Sequence, residues 1–232
     1  MDSTLTPSSL QRPTLSARVA EHLLDLVNRE KLQPGDRVPS EVQLGRDLQV
    51  SRGSVREAYR TLAALGIIGI ESGRRPRLRP VDPRVLGQVF DYALNTAQIA
   101  AAHVIETRRA IELQNAQLAA RYANEAQCVA LRGLVTQMRA AGSDHAHHAA
   151  CDAAIHTLIA QAGGNPLNCL LLNALRTPAE ASARIHFHET RHDSAMIRLI
   201  DAHDAVVERI CARDAVGAGS AMSYHFDCSI VL

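Results

Sequence analysis

Residues 34–69 read PGDRVPSEVQLGRDLQVSRGSVREAYRTLAALGIIG, and the rest of the chain is organised around what this stretch forms. Leu44 and Leu48 are spaced to share one face of a short helix. Gln49, Val50 and Ser51 then read as a turn, and a second amphipathic run carries Val55, Tyr59, Leu62 and Leu65 on its apolar side. Ser51 is a good N-cap for that run, since its hydroxyl can accept from a backbone N–H left orphaned in the first turn. Arg52, Arg56 and Arg60 recur at four-residue spacing on the opposite side. A pair of short helices joined by a tight turn, the second presenting a row of arginines, predicts a helix-turn-helix whose second helix enters a major groove.

The flanks extend this unit. Val19, Leu23, Leu26 and Val27 make the stripe of an earlier helix, with Ser16 as its expected cap and Pro34-Gly35 as its stop. After Gly66, Ile67 to Ile70 reads as a strand, ESGRRPR as a hairpin tip and Leu78 as the start of a return strand. The result is a winged helix. Its tip carries Arg74, Arg75 and Arg77, and Gly73 is the position expected to lie closest to a DNA backbone. Pro76 beside the tip predicts a stiff hairpin.

The chain is expected to be mainly α, with an arm at 1–13, a winged helix-turn-helix at 14–79, a linker at 80–83 and an all-helical domain at 84–232. Alanine and leucine abound, aromatics are 3% and tryptophan is absent, a mix that favours helices. Residues 1–80 hold 13 Arg/Lys against 9 Asp/Glu, whereas residues 81–232 hold 12 against 15. The basic excess therefore travels with the helix-turn-helix, where a grip on phosphates needs it. Five cysteines without a CxxC pair argue against a disulfide framework and for a reducing compartment. With no apolar leader and no run long enough to span a bilayer, the expected location is the cytoplasm, with no membrane partner.

PGDRVPSE, then VSRGSVREAYRTLAALG, then a basic hairpin resemble the DNA-binding half of the GntR family of bacterial transcription regulators. The resemblance implies operator contacts by Arg52 and Arg56, close backbone approach at Ser51, Gly53 and Ser54, and wing contacts from Gly73, Arg74 and Arg75. The family usually has arginine after PSE; this chain has Val42, so a contact from that position is missing.

Beyond the linker, helical patterns run over 83–95, 98–123, 125–140, 144–162, 166–189, 193–212 and 214–230, predicting an antiparallel bundle of six or seven helices. Three of these helices place polar groups where apolar ones belong. Asp152 and His156 share a face with Ile155 and Ile159, His203 falls inside the stripe Met196, Leu199, Ile200, Val206, Val207, Ile210, and His225 is in line with Met222. Burying such groups unpaired costs several kcal/mol, on the order of 2–7 each. A divalent cation shared by all four removes that cost, because carboxylate and imidazole are ordinary ligands of Zn²⁺, Ni²⁺ or Mn²⁺. His145, His147, His148, His186 and His188 are read instead as solvent-facing or helix-start residues. Gly217 and Gly219 are expected to loosen the last helix.

RRAIELQNAQLAA (108–120), DAAIHTLIAQAGGNP (152–166) and DAHDAVVERICARDAVGAGSAMSYH (201–225) resemble the helical effector domain, called FCD, of the FadR subgroup of that family. The resemblance implies that Asp152, His156, His203 and His225 hold a metal and that Arg108 holds an anionic effector. It also implies a homodimer on a palindromic operator, a repressor more than an activator, and a small carboxylate or sugar acid as the signal. Two other readings fit the same residues. The helical domain is a metal-dependent hydrolase, with Glu112 as the nearby candidate base, or the metal is itself the signal.

Overall fold

The computed structural model describes residues 13–71, 73–186 and 193–230. The chain divides into two compact units, Met1–Asp82 and Pro83–Leu232. The expected arm at 1–13 and the pair His186 and His188 fall largely outside what is described: only Pro13 and the backbone of His186 are included.

In the first unit, α1 (Leu15–Glu30), α2 (Glu41–Asp47) and α3 (Arg52–Ala64) pack around Val19, Leu23, Leu44, Val55, Tyr59 and Leu62. Ser40 caps α2 by accepting from Gln43 N at 3.2 Å, and Ser51 caps α3 by accepting from Ser54 N at 3.2 Å. The turn between them passes through Gln49 at φ 54°, the left-handed conformation that reverses the chain sharply. Tyr59 is fully buried, and its hydroxyl donates to Pro39 O at 2.6 Å, fastening α3 to the segment before α2. Two expectations are corrected here. The cap of α1 is Thr14, which accepts from Ala17 N at 3.2 Å, while Ser16 lies inside the first turn and is buried. Leu65 is 52% exposed because α3 ends at Ala64 and the chain turns away at Gly66.

The strands β1 (Ile68–Gly69) and β2 (Arg77–Leu78) are antiparallel, with Ile68 opposite Leu78 and Gly69 opposite Arg77. A third segment completes the wing. Gly35 N donates to Leu78 O (2.9 Å), Leu78 N to Asp36 O (2.9 Å) and Val38 N to Pro76 O (3.0 Å), so residues 35–38 run along the free edge of β2. Pro76 is buried and contributes only its carbonyl to this ladder, so its missing N–H leaves no gap.

Among the described residues, the second unit is a bundle of seven helices: α4 (Pro83–Asn95), α5 (Ala101–Tyr122), α6 (Glu125–Ala140), α7 (His145–Ala162), α8 (Pro166–His186), α9 (Asp193–Cys211) and α10 (Ala215–Ile230). Asn124 and Gln127 form a reciprocal capping box at the start of α6 (2.9 Å each way), and Asp144 caps α7 through His147 N at 3.0 Å. The helix α5 begins three residues later than the pattern suggested, because Ala97 adopts φ 55° and the chain makes a separate turn before it. Its buried face is lined by Ala116, Ala119 and Ala120, small enough for α7 and α10 to approach closely. Gly219 serves the same approach: a Cβ there would lie 2.6 Å from the Gln117 amide of α5. At Gly217 a Cβ would meet the carboxylate of Asp214, which accepts from Gly217 N at 2.8 Å in the helix's own first turn. Both glycines thus leave room for side chains that a Cβ would displace. Among the described residues, no helix is long and apolar enough to cross a membrane.

Candidate functional site

On the first unit, Ser51, Arg52, Gly53, Arg56 and Arg60 are exposed along one side of α3, opposite buried Val55, Ala58, Tyr59 and Leu62. At the wing tip, Gly73 takes φ 75° and its neighbours Arg74 and Arg75 are exposed. Arg74 pairs with Glu71 at 2.8 Å, and with side chains 78% and 57% exposed this is a weak bridge that a phosphate can displace. Val42 is 44% exposed on α2 and offers an apolar surface with no charge for a phosphate.

In the second unit, α7, α9 and α10 bring Asp152, His156, His203 and His225 to one point. One donor atom from each lies within 4.8 Å of all the others. Asp152 Oδ1 is 3.1 Å from His203 Nε2 and 3.7 Å from His156 Nε2, and the Nε2 atoms of His156 and His225 are 3.0 Å apart. Neighbouring donors on a single ion with bonds of about 2.0–2.2 Å sit about 3 Å apart. The spacings of 3.0 to 3.7 Å therefore suit one shared cation. The imidazoles are all 5% exposed or less, while the Asp152 side chain is 39% exposed, so the cluster opens to solvent on the Asp152 side.

The orientation of the rings supports the same use. His203 Nδ1–H donates to Leu199 O at 2.8 Å, which leaves Nε2 as a lone pair facing inward. That Nε2 is buried and faces Asp152 Oδ1 at 3.1 Å, so in this tautomer a lone pair meets a carboxylate oxygen, an arrangement that a cation between them satisfies. His156 is held the same way, its Nδ1 contacting the Glu112 carboxylate and its Nε2 facing the centre. A carboxylate behind a ligating imidazole fixes the tautomer and strengthens the donor.

Glu112 is 1% exposed, and Arg108 Nε and Nη2 both donate to its Oε1, at 3.1 and 2.8 Å. The hydrolytic alternative needs Glu112 as its base. Here its oxygens are engaged by His156 and Arg108, so no water-activating base is left at this position. Its spacing to Arg108 was legible, since i,i+4 pairs meet on a helix, but its contact with His156 depends on how α5 and α7 cross.

Charge follows geometry. Burial opposes ionisation of Asp152, yet the imidazoles of His156 and His203 prevail and hold its carboxyl well below the usual carboxylate range. Burial likewise raises Glu112, but His156 and Arg108 outweigh it and keep the carboxylate ionised. Burial, then the proximity of His203 and His156, pushes His225 well below the ordinary imidazole value, so it is a neutral donor. His156 goes the other way: burial lowers it, and Glu112 and Asp152 together raise it above the ordinary value.

Of the remaining histidines, His145 and His147 are exposed as expected. His148 is not. It is 3% exposed, with Nε2 2.9 Å from Gly142 O, because the turn before α7 folds back over its ring.

A winged helix-turn-helix with bare arginines on its reading helix places the protein in the class of DNA-binding transcription regulators. The chain belongs to the GntR family: residues 15–77 match the model for bacterial regulatory proteins of the gntR family, and residues 103–227 match the FCD domain. It is 31% identical over 164 residues (70% of this chain, 68% of the relative) to the uncharacterized HTH-type transcriptional regulator YcbG of Bacillus subtilis (strain 168). It is 30% identical over 163 residues (68% of this chain, 62% of the relative) to the HTH-type transcriptional repressor NanR of Edwardsiella tarda (strain FL6-60). The solved structure of Streptococcus agalactiae GntR has the same fold, with a TM-score of 0.65, 24% identity, and coverage of 91% of this chain and 97% of that one. Family and relatives are regulators, not enzymes.

Proposed function

We propose that this regulator represses transcription as a homodimer on a palindromic operator, and that a small carboxylate or sugar acid bound at a metal in the helical unit sets its operator affinity. The observation that carries the reading is the convergence of Asp152, His156, His203 and His225, with Arg108 and Glu112 behind them. The four would hold a divalent cation, with Zn²⁺, Ni²⁺ or Mn²⁺ suited to a set of imidazoles and one carboxylate. Bound there, the ion supplies a Lewis-acidic centre for an anionic oxygen.

Four protein donors leave one or two positions open on an ion that takes about five or six ligands. Asp152 marks the solvent-facing side at which a ligand enters. Arg108 is 22% exposed at its side chain and spends Nε and Nη2 on Glu112, so Nη1 is the donor it has left for a second anion. A hydroxy acid could thus touch the cation and the guanidinium together, in charge-assisted contacts stronger than neutral ones.

At the other end, Arg52 and Arg56 would read base edges or phosphates in the major groove. Ser51, Gly53 and Ser54 would bring the backbone close, and Gly73, Arg74 and Arg75 would serve the wing. The ligand shifts operator affinity only by binding one of two conformations better than the other. Repression is taken from relatives whose names include a repressor.

The test is operator titration with metal-loaded and chelator-stripped protein, each with and without a panel of hydroxy and sugar acids. An acid response that needs the metal supports the proposal. A full response to metal addition alone would make the ion the signal, and an acid response in stripped protein would sink the metal-bound effector.

A further inference from the structure

Two of the helices that carry the clustered histidines, α7 with His156 and α10 with His225, both pack on α5. The Nε2 atoms of those histidines are 3.0 Å apart, so their separation depends on where α5 holds each helix. On the α7 side the tie is Glu112, which contacts His156 and is itself held by Arg108. On the α10 side the next residue serves. Arg109 Nη1 donates to Asp227 Oδ1 at 2.7 Å, and its Nη2 donates to Ser223 Oγ at 2.5 Å. Ser223 and Asp227 are an i,i+4 pair with His225 between them in sequence, so one guanidinium grips the turn that bears the imidazole.

The grip falls where α10 has most need of it. Toward its start the helix is seated on α5 by close approach, with Gly219 against Gln117. His225 stands in the second half of α10, toward an end whose carbonyls lack partners within the helix and whose last turn frays. Residues two apart on a helix project in nearly opposite directions. A small rotation of the Ser223–Asp227 turn therefore swings the His225 ring sideways in the chamber. A planar fork with two fixed donor directions resists that rotation as well as separation of the helices.

A second arginine supplies the contrast. Arg139 reaches Asp201 at 3.1 Å and Asp204 at 3.5 Å, on either side of His203 in α9. Its side chain is 55% exposed and its bonds are longer, whereas Arg109 is 33% exposed. His203 also has its own tie, to Leu199 O. Exposed bridges of this kind contribute little.

We propose that Arg109 is a positioning residue for the metal chamber, fixing through Ser223 and Asp227 the orientation of the α10 turn from which His225 enters it. The proposal rests on the reading of Asp152, His156, His203 and His225 as ligands of one cation.

The Zn²⁺ affinity of the full chain, measured by competition with a chromophoric chelator, tests it. Arg109→Met keeps the stem and removes the fork, and should weaken Zn²⁺ about 10-fold, the lower end of what groups behind a ligand contribute. Arg109→Lys, which can still reach one acceptor, should recover part of that loss. Arg139→Met should stay within about 3-fold of wild type. In a His225→Ala background the positioned ring is absent, so Arg109→Met should add no more than about 2-fold.

Equal losses with and without His225 would reduce Arg109 to general support of the bundle and overturn the proposal. So would full affinity in Arg109→Met, or an equal loss in Arg139→Met. A second arm needs no metal: heteronuclear NMR spectra of the imidazole rings in metal-free protein. Arg109→Met should move the His225 ring signals further than those of His203; equal movement, or none, overturns the proposal. Wild type that takes up neither Zn²⁺ nor, in the same assay, Ni²⁺ or Mn²⁺ sinks the ligand reading itself, a result visible before any variant is compared.

Discussion

The two units handle charge in opposite ways. In the winged helix-turn-helix the working side chains stand in solvent over an apolar core, so Arg52, Arg56 and the wing arginines contribute little to folding. In the helical unit the ionisable residues are inside the core itself, ringed by Ile155, Ile159, Val206 and Met222. The first arrangement leaves charge hydrated until a phosphate replaces the water. The second desolvates three imidazoles in advance, which is expensive unless an ion occupies the centre. On the proposed reading, a surface reader would change its contacts at little structural cost, whereas a buried chamber would couple ligand, metal and stability.

The largest expected effect tests that coupling. His203→Ala removes one donor and leaves three polar groups facing a gap, so metal measured by elemental analysis of purified protein should fall from stoichiometric to near zero. The response of operator affinity to carboxylates should vanish with it, while size-exclusion chromatography still shows a dimer. Retention of metal by the variant would mean that the ion sits elsewhere.

Next in size is Arg52→Ala. Loss of one bidentate base or phosphate contact is worth about 1–3 kcal/mol, so operator Kd should rise roughly 10- to 100-fold at low salt. Metal content and melting temperature should be unchanged. A parallel fall in metal would erase the separation of the two units drawn above.

Glu112→Gln probes the support behind His156. Carboxylates that orient a ligating imidazole typically contribute about 10- to 100-fold in metal affinity, so competition against a chelator should show a loss in that range. Unaltered affinity would reduce Glu112 to a partner of Arg108 alone. Lowering pH should release the cation as well, because protons compete for imidazoles that ligate only when neutral. His156, held above the ordinary imidazole value in the metal-free cluster, should be protonated earliest as pH falls, and His225, held below it, latest. Metal retention measured across a pH series that stays flat through the imidazole range would count against imidazole ligation.

The smallest effect is on the reader's own scaffold. Tyr59→Phe deletes the hydrogen bond to Pro39 O without opening a cavity, and should cost about 0.5–1.5 kcal/mol. A thermal melt should register a drop of a few degrees, with operator contacts otherwise kept.

Much of this was readable from residue spacing, and the exceptions share a cause. The helix-turn-helix, the β1–β2 hairpin and seven later helices follow from periodicity, Ser caps and Gly or Pro stops, all of them local in the chain. The pairing of residues 35–38 with β2 is not legible because those residues look like a turn until β2 lies beside them. His148 stands at the start of α7, one of the two expected placings, but its burial is not legible because helix spacing says nothing about the Gly142 carbonyl that folds over it. The approach of Gln117 to Gly219 is not legible because a helix considered alone has no neighbour pressing on it.

The candidate metal residues were legible for a different reason. Asp152, His156, His203 and His225 interrupt apolar stripes, and a polar residue on a core face asks for a partner wherever the core is. Sequence alone thus determined which side chains need company and which helices carry them. Only the tertiary structure decided that they meet, that Glu112 stands behind His156 with Arg108 behind it, and that Asp152 is the partly exposed member of the set. Those relations depend on how α5, α7, α9 and α10 cross, and crossing geometry comes from side-chain interlock between segments far apart in the chain, which no local pattern records.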